Sequence, residues 1–403
     1  MDNTTVTQIG KYEILGQIGE GGMGVVYRGE DKGIGRPVAI KTLKNATSEL
    51  RQRFLVEART GALNHPNIVT VFEVGEQDGN PYIAMEYLEG GSLDTLLRSD
   101  RLVPVVEKLD IIRQVCLGLG YAHQEGVVHR DIKPANVMVN AKGQVKIVDF
   151  GIARLENTSG HTATGQVIGT VDYISPERIK GNRSDGRADI WSTGVMLYQL
   201  LTNNHLPFPG DDPTTKIYKI VNEPFEPLSN FATDYPSGID HILVRALAKD
   251  PNDRYESAEE MAGDIEEINE ALKRARMGEM IIHVKRLIGQ QQLTTAKQDL
   301  LGLQRLDPQN TEIKKLFRDV SEQLARQQKS EQVRQLASQA EEAVLSQRYA
   351  EAIEFYRQAA KVEPSEHGFT DKIEHIRGLK EKADKVASLL QQARDARHHQ
   401  NSA

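Results

Sequence analysis

Short apolar runs, separated by glycines or polar turns, occupy the first hundred residues of the chain. Runs of this length and composition are typical of β-strands. The predicted strands are Tyr12–Ile18, Val25–Glu30, Pro37–Leu43, Ile68–Gly75 and Tyr82–Tyr87. One segment with helical spacing, about Ser48–Leu63, interrupts them.

From Leu93 to about Leu272 the apolar positions recur at helical spacing. The predicted helices are Val105–Gln124, Asp189–Leu201, Thr214–Val221, Gly238–Ala248 and Ser257–Leu272. Two short strands, Val137–Val139 and Val145–Ile147, interrupt this helical region. The pattern therefore predicts an α+β protein with a β-rich lobe followed by a helical lobe.

After Met277 the chain is rich in Gln, Glu, Ala and Leu at helical spacing. This change of composition predicts a domain boundary near Arg274–Gly278. We therefore expect an N-terminal extension at 1–11 and a main domain at 12–272. Its lobes divide near residue 88, into about 12–88 and 89–272. A linker at 273–278 and an all-α domain at 279–403 complete the predicted organisation.

Composition and charge narrow the class of protein. The chain has 39% hydrophobic and 27% charged residues, a mean hydropathy of -0.48 and one cysteine, Cys116. No stretch approaches the ~20 apolar residues that span a bilayer, and Met1–Lys11 lacks the order of a signal peptide. We therefore expect a cytoplasmic protein without a membrane partner and without a disulfide framework.

The formal charge of -7 is unevenly distributed. From Ala271 onward there are 23 Lys/Arg and 18 Asp/Glu, so the excess of acid lies before that residue. An acidic first part argues against nucleic-acid binding, and the cations of the later part are spread along helices. No nucleic-acid partner is expected.

A glycine-rich turn joins the first two predicted strands. Its residues are Gly19, Glu20, Gly21, Gly22, Met23, Gly24, Val25 and Val26. Glycines at this spacing let the backbone lie close to a polyphosphate and direct its N–H groups at it. A strand follows the turn, and this favours a flap over ATP rather than a dinucleotide-binding turn.

Lys41 ends the apolar run that begins at Val38, and Glu57 lies on the helix predicted next. A solvated edge lysine is the simpler interpretation of Lys41 alone. A Lys–Glu pair so placed would instead orient the ammonium on the α- and β-phosphates of a nucleotide.

The most specific pattern is His129-Arg130-Asp131-Ile132-Lys133-Pro134-Ala135-Asn136, followed after the two short strands by Asp149-Phe150-Gly151. One carboxylate, Asp131, can orient a hydroxyl and accept its proton, while Asp149 and Asn136 can hold Mg²⁺. A hairpin between the two segments would bring them together. With these motifs the chain resembles the eukaryotic-like (Hanks-type) protein kinases, and among them the bacterial soluble serine/threonine kinases, over about Tyr12–Leu272.

The resemblance implies a two-lobed kinase fold that uses ATP with Mg²⁺, or alternatively Mn²⁺, to phosphorylate protein substrates. Asp131 would be the catalytic base, Lys133 would steady the γ-phosphate, and Lys41 paired with Glu57 would bind the α- and β-phosphates. The implied metal ligands are Asn136 and Asp149. The implied nucleotide contacts are the turn Gly19–Gly24 and Val25, the side chains of Ile18, Val26 and Ala39, the gatekeeper Met85, and the backbones of Glu86 and Leu88.

The segment Gly169–Glu177 resembles the substrate-docking loop of these kinases, with Ser175 where Ala is usual. The resemblance further implies a buried Glu177–Arg254 pair and an Asp189 carboxylate that anchors the catalytic loop. Lys133 and Thr170 imply serine/threonine rather than tyrosine specificity. In the activation segment Asp149–Glu177, Thr162 and Thr164 are the expected autophosphorylation sites, because bacterial kinases carry a Thr-x-Thr there.

The segment Val333–Pro364 resembles a tetratricopeptide (TPR) repeat, with small and large residues at its packing positions. A fainter copy, ending at Pro308, lies 56 residues earlier. The alternative is a coiled or merely helical tail. A TPR-like domain implies a protein partner on its surface, although a brace for the helical lobe or a homodimer contact remains open.

Three other functions are consistent with parts of the sequence. A pseudokinase scaffold would have lost Lys41, Asp131, Asn136 or Asp149, and none is lost. A small-molecule phosphotransferase would lack the docking loop. A TPR adaptor would carry a kinase domain that is incidental to its function.

Overall fold

The computed structural model describes residues 7–20, 24–43, 51, 54, 63–99, 101–150, 171–233, 235–364 and 368–400, with side chains up to 395. Contacts within the chain divide it into two compact units, Met1–Arg274 and Ala275–Ala403. The predicted helix at 48–63 lies largely outside the described residues.

The β-rich lobe of the first unit is a six-stranded antiparallel sheet in the order β1-β2-β3-β4-β6-β5. Its strands are β1 Gln8–Ile9, β2 Tyr12–Glu20, β3 Gly24–Asp31, β4 Arg36–Leu43, β5 Val71–Gln77 and β6 Asn80–Glu86. All five predicted strands are present, and β1 is an addition too short to show a pattern in the sequence.

Residues 68–70 do not belong to β5, so its predicted start at Ile68 is wrong. Ile68 forms an isolated bridge with Ile147 of the helical lobe, and the amide of Val69 donates to the carbonyl of Ile147 at 3.0 Å. These backbone groups are satisfied by the neighbouring lobe, which the apolar run in the sequence could not reveal.

Strand β4 is buried on both faces. Val38 and Ile40 pack into one apolar cluster with Tyr12 and Tyr82, whereas Ala39 packs on the other face with Met85. Because side chains alternate along a strand, Lys41 points to the same face as Ala39. The register then sets Lys41 opposite Val26 of β3 and Ile83 of β6.

The helical lobe surrounds one large apolar core. Its helices are α1 Leu93–Leu97, α2 Val105–Gln124, α3 Pro176–Ile179, α4 Arg187–Leu201, α5 Pro213–Asn222, α6 Gly238–Ala246 and α7 Ala258–Gly289. A three-stranded sheet, β7 Gly91–Ser92, β8 Val137–Val139 and β9 Val145–Ile147, completes it. The predicted bounds of α2, β8 and β9 agree with the structure, and the α+β, two-lobed fold is confirmed.

Helix α7 does not end at Leu272 as predicted, because it continues to Gly289. The residues proposed as a linker, 273–278, lie inside this helix. Their composition explains the continuation, since Lys273, Ala275 and Met277 are strong helix formers and one glycine costs only about 1 kcal/mol. The change of composition therefore marks a change of packing partner without a break in the helix.

The second unit consists of the end of α7 and four more helices. These are α8 Leu293–Leu306, α9 Thr311–Leu345, α10 Tyr349–Val362 and α11 Gly368–Gln400. They pack around two apolar clusters, one between α7, α8 and the start of α9, the other between the end of α9, α10 and the start of α11.

The predicted 56-residue repeat is present in the backbone. Helices α8 and α10 are both 14 residues long and begin 56 positions apart. Each follows a left-handed residue, Gln291 with φ 60° and Gln347 with φ 58°. No helix in the described part of the chain is long and apolar enough to cross a membrane.

A buried ion pair links α3 to the segment before α7, as the sequence predicted. Arg254 donates to both carboxylate oxygens of Glu177, at 2.9 and 2.7 Å, and its side chain is 0% exposed. Burial alone would raise the pKa of Glu177, but the hydrogen bonds and charge of Arg254 outweigh it and hold that pKa below its usual value.

We expect Arg254→Met to lower the free energy of unfolding by about 3–5 kcal/mol, because it leaves a buried carboxylate without its cation. Urea denaturation measures the loss. The control is Arg98→Met, which removes a pair with Asp94 whose arginine is 73% exposed and should cost less than about 1 kcal/mol. Equal effects of the two changes would contradict this interpretation.

Candidate active site

Lys41 bridges the two lobes of the first unit. Its Nζ lies 2.8 Å from Oδ1 of Asp149, and its side chain is only 12% exposed. The predicted partner Glu57 lies outside the described residues. A predicted phosphate ligand and a predicted metal ligand are therefore in direct contact.

Asp131, Lys133 and Asn136 form a hydrogen-bonded cluster. Oδ2 of Asp131 accepts from Lys133 Nζ at 2.7 Å and from Asn136 Nδ2 at 3.3 Å. Asn136 Nδ2 also donates to the carbonyl of Asp131 at 2.8 Å. A 3-10 turn, Pro134–Asn136, folds the chain back so that these contacts form. The three side chains that the motif predicted to act together lie together.

The buried carboxylate of Asp189 holds this loop in place, as predicted. Oδ2 accepts from the amide of His129 and Oδ1 from the amide of Arg130, both at 2.8 Å. Arg130 is left-handed, with φ 63°, a conformation that costs a residue with a side chain some energy. The two hydrogen bonds to one carboxylate compensate for that conformation.

His123 of α2 is a member of this anchor that the sequence analysis missed. Its Nε2 lies 2.8 Å from Oδ2 of Asp189. Burial alone would raise the pKa of Asp189, but the hydrogen bond and charge of His123 contribute to holding it below its usual value. The only signal in the sequence was a histidine at the end of a predicted helix, six residues before His129.

The ring of His129 connects the catalytic loop to the segment that carries Asp149. Its Nε2 lies 3.1 Å from the carbonyl of Val148, and its Nδ1 accepts from the amide of Asp131 at 3.3 Å. A carbonyl can only accept, so these partners assign the proton to Nε2. Complete burial lowers the pKa of His129, which keeps the ring neutral.

Asn136 and Asp149 are brought together by the β8–β9 hairpin. The amide of Val148 donates to the carbonyl of Asn136 at 3.0 Å, and Val137 pairs with Ile147. Asn136 directs Nδ2 at Asp131, which turns its Oδ1 away from that residue. The carboxylate and amide oxygens are hard donors of the kind that Mg²⁺ prefers.

The donor set fits a metal that is shared with a phosphate. Mg²⁺ usually takes one or two protein oxygens and completes its shell with water and phosphate oxygens. Among the described residues, no group of three or more His, Cys, Asp or Glu could hold a metal by itself. Asn136 and Asp149 therefore suit a site that a nucleotide completes.

An apolar surface lies beside Lys41 on the inner face of the sheet. Ala39 and Met85 are buried there, with Val26 and Leu88 partly buried against them. Ile18 is 50% exposed, in the irregular step of the β2–β3 pairing between Gln17 and Gly19. Four of the predicted adenine contacts thus form one patch, and Ile18 lies at the exposed bulge.

Glu86 is more constrained than the sequence indicated. Its amide donates to the carbonyl of Thr70 at 2.9 Å, and its carboxylate lies 2.8 Å from Lys146 Nζ. The amide of Glu86 is thus already used inside the protein. A nucleotide contact at this residue has to involve its carbonyl.

The glycines of the predicted phosphate flap differ in what constrains them. Gly21, Gly22 and Met23 lie outside the described residues. A Cβ at Gly24 would meet the carbonyl oxygen of Thr42 at 1.9 Å, whereas one at Gly19 would have only Val26 Cβ, at 3.8 Å. Gly24 is therefore required by the approach of β4, and Gly19 is not required by packing.

Comparison with known proteins agrees with this geometry. The family described as protein kinase domain matches residues 12–264. A probable serine/threonine-protein kinase of Streptomyces coelicolor is 45% identical over 267 residues, which cover 64% of this chain and 40% of that protein. Serine/threonine-protein kinase PknB of Mycobacterium leprae is 39% identical over 264 residues, covering 63% and 42%.

Serine/threonine-protein kinase PrkC of Bacillus subtilis is 38% identical over 260 residues, covering 64% of this chain and 40% of that protein. The chain thus spans well under two thirds of the length of the curated relatives it matches. The similarity to each of them covers about two thirds of the chain.

Gly24→Ala should lower the free energy of unfolding by about 1–3 kcal/mol, because the added methyl group collides with the backbone of β4. Gly19→Ala should change it by less than about 0.5 kcal/mol and should instead weaken nucleotide binding. Urea denaturation and titration with a fluorescent nucleotide separate the two effects. Equal stability of the two variants would show that Gly24 is not constrained by packing.

Proposed function

The chain belongs to the protein kinase family, and on this premise we propose that it transfers the γ-phosphoryl group of MgATP to serine and threonine hydroxyls of proteins. The observation that carries the proposal is the intact cluster of Asp131, Lys133 and Asn136 beside the Lys41–Asp149 pair. Each of these residues is of the type the reaction requires.

In the proposed mechanism Asp131 orients the substrate hydroxyl and accepts its proton. Lys133 lies 2.7 Å from that carboxylate, so its ammonium can also reach a phosphoryl group in transfer and offset its charge. Asn136 keeps Asp131 in position through the hydrogen bond to its backbone carbonyl. This arrangement supports a positioned base with an adjacent cation.

Lys41 would bind the α- and β-phosphates, with Glu57 as its proposed second partner. Asp149 and Asn136 would hold Mg²⁺, which neutralises charge on the phosphates. The 2.8 Å contact between Lys41 and Asp149 supports this assignment, because both groups must reach neighbouring oxygens of one polyphosphate. The apolar patch of Val26, Ala39, Met85 and Leu88 would receive the adenine.

A protein substrate is favoured by the end of the docking loop. Ser192 Oγ donates to the carbonyl of Tyr173 at 2.7 Å, and Lys216 of α5 pairs with Asp172 at 2.7 Å. A segment fixed from two helices can serve as a platform for an extended peptide. Lys133 and, outside the described residues, Thr170 support the choice of serine and threonine, as do the names of the relatives.

We further propose that the kinase phosphorylates its own activation segment. Thr162 and Thr164, the proposed sites, lie outside the described residues. Support comes from Arg130, whose Nε is buried and has no hydrogen-bond partner among the residues that the structure describes. A guanidinium next to the catalytic base is suited to bind a phosphorylated threonine.

For the second unit we propose the binding of a protein partner or substrate. Two successive helical hairpins offer an extended surface, and among their described residues no group of three or more His, Cys, Asp or Glu could hold a metal ion. Binding there would raise the concentration of a substrate at the active site through tethering. A TPR-like unit that dimerises the kinase is the alternative.

Asp149→Asn and Lys41→Met should each reduce phosphoryl transfer by about a thousandfold, because each removes charge that stabilises the transferring group. The measurement is Mg²⁺-dependent incorporation of labelled phosphate into a generic serine/threonine peptide. Asp211→Asn, at an exposed aspartate, serves as the control and should keep its rate. Near-normal rates in either active-site variant would refute the assignment.

Intact-mass analysis of the purified kinase should find phosphate that is missing from Asp149→Asn. The double variant Thr162→Ala/Thr164→Ala should lose about tenfold or more in peptide phosphorylation, because Arg130 loses its phosphate partner. Thr158→Ala, in the same segment, is the matched control. A fully active double variant would show that these threonines are not activating sites.

A further inference from the structure

Apolar residues form a continuous stripe along helix α11. They are Ile376, Leu379, Ala383, Val386, Leu390 and Ala393, with alternating spacings of three and four residues. Such spacing keeps one face of a helix towards a partner helix over its whole length. Neighbouring helices among the described residues bury only the first part of this stripe.

Burial along α11 changes abruptly after its first turns. Ile376 is 4% exposed and packs into the cluster with α10. Further on, Val386 and Leu390 are both 56% exposed and Leu389 is 57% exposed. We call Val386, Leu390 and Ala393 the distal stripe, with Leu389 at its border, and no described side chain buries it.

The internal repeat shows that the second half of such a helix can receive a partner helix. Helix α11 is the counterpart of α9, because Ile313 and Val320 of α9 correspond, 56 positions on, to the buried Phe369 and Ile376. Beyond those turns α9 receives another helix, α10, on its second half. Val333 begins that contact and is 8% exposed, whereas its counterpart Leu389 is 57% exposed.

Charges around α11 are segregated with respect to the distal stripe. At about 100° per residue, Lys382 and Arg394 lie at the borders of the stripe. Glu381, Asp384 and Asp395 lie on the opposite face. A helix that docks on the stripe therefore meets cations along both of its edges.

This distribution disfavours a second copy of the chain as the occupant. Two α11 helices that paired through their stripes would each present lysine and arginine at the borders. Antiparallel pairing would set like charges against each other, and parallel pairing would bring no carboxylate to them. A partner helix with acidic borders would pair its carboxylates with these cations, which a second copy would not do.

We propose that the distal stripe binds an amphipathic helix of another protein whose apolar face is bordered by Asp and Glu. This inference deepens the proposal that the second unit binds a protein, and it does not depend on phosphoryl transfer.

The test uses the full chain and a synthetic helical peptide of about three heptads, with Leu at the three-four spacing and Glu along its borders. A matched peptide carries Lys in place of Glu. Fluorescence anisotropy should show the Glu peptide binding at least about tenfold more tightly than the Lys peptide, a difference of about 1.4 kcal/mol.

Leu390→Glu should weaken the binding of the Glu peptide by at least about tenfold, because the substitution places a charge within the apolar contact. The matched control is Ser388→Glu, which adds the same charge on the opposite, exposed face and should leave binding unchanged. Lys382→Glu/Arg394→Glu should invert the preference, so that the Lys peptide binds more tightly. Phosphorylation of a generic peptide should be unaffected in all three variants.

Three outcomes would overturn the inference. Equal binding to wild type and Leu390→Glu would place any peptide site elsewhere on the chain. A dimer in light scattering that Leu390→Glu dissociates would identify a second copy as the occupant. Binding to vesicles of phosphatidylcholine and phosphatidylglycerol, lost in Leu390→Glu and without peptide binding, would identify a membrane surface. An inactive wild-type kinase that still binds the Glu peptide would refute only the proposed activity.

Discussion

The active site depends on one buried carboxylate, that of Asp189 in α4. An unpartnered charge at that depth would cost several kcal/mol, so the chain around it must supply donors. The amides of His129 and Arg130 do so at 2.8 Å each, at the expense of a left-handed residue. The loop that carries Asp131 is therefore held in shape by a helix of the lobe core in addition to the contacts within its own motif. A change in that carboxylate would act on the site without touching a reacting group.

The ring of His129 links the loop that Asp189 anchors to the segment that carries Asp149. The ring accepts from the amide of Asp131 and donates to the carbonyl of Val148, so one neutral imidazole sets the distance between the catalytic loop and the segment that carries Asp149. Protonation would place a hydrogen on Nδ1, where the amide of Asp131 points. Burial lowers the pKa of His129 in the folded protein. At low pH the unfolded chain therefore binds a proton at this residue more readily, and the folded state is destabilised. The contribution of the neutral His129 ring to the stability of the fold is present above the ordinary histidine pKa and is lost as the pH falls below it.

Local patterns in the sequence predicted what depends on local forces. The hairpin β8–β9 could be placed to the residue because turns bound it, and the Asp131 cluster because its motif is contiguous. Contacts between distant segments could not be placed so well. The run that starts at Ile68 leaves the strand because Ile147 satisfies its backbone, and Gly24 is fixed by the carbonyl of Thr42. Glycine spacing alone cannot distinguish a residue that makes room for phosphate from one that makes room for a neighbouring strand.

Helix α11 shows the same limit in the second unit, since its apolar spacing is uniform while its burial is not. Periodicity predicts which face of a helix is apolar, but a partner determines how much of that face is covered. If the partner is another protein, the surface that recognises it lies on the same chain as the catalytic cluster. A substrate held at the distal stripe would meet the active site at an effective concentration set by the connecting helix α7 and by the length of the substrate's own chain. Such tethering lowers the substrate concentration needed for half-maximal rate and leaves the chemical step unchanged, because the residues around Asp131 are the same for tethered and free substrates.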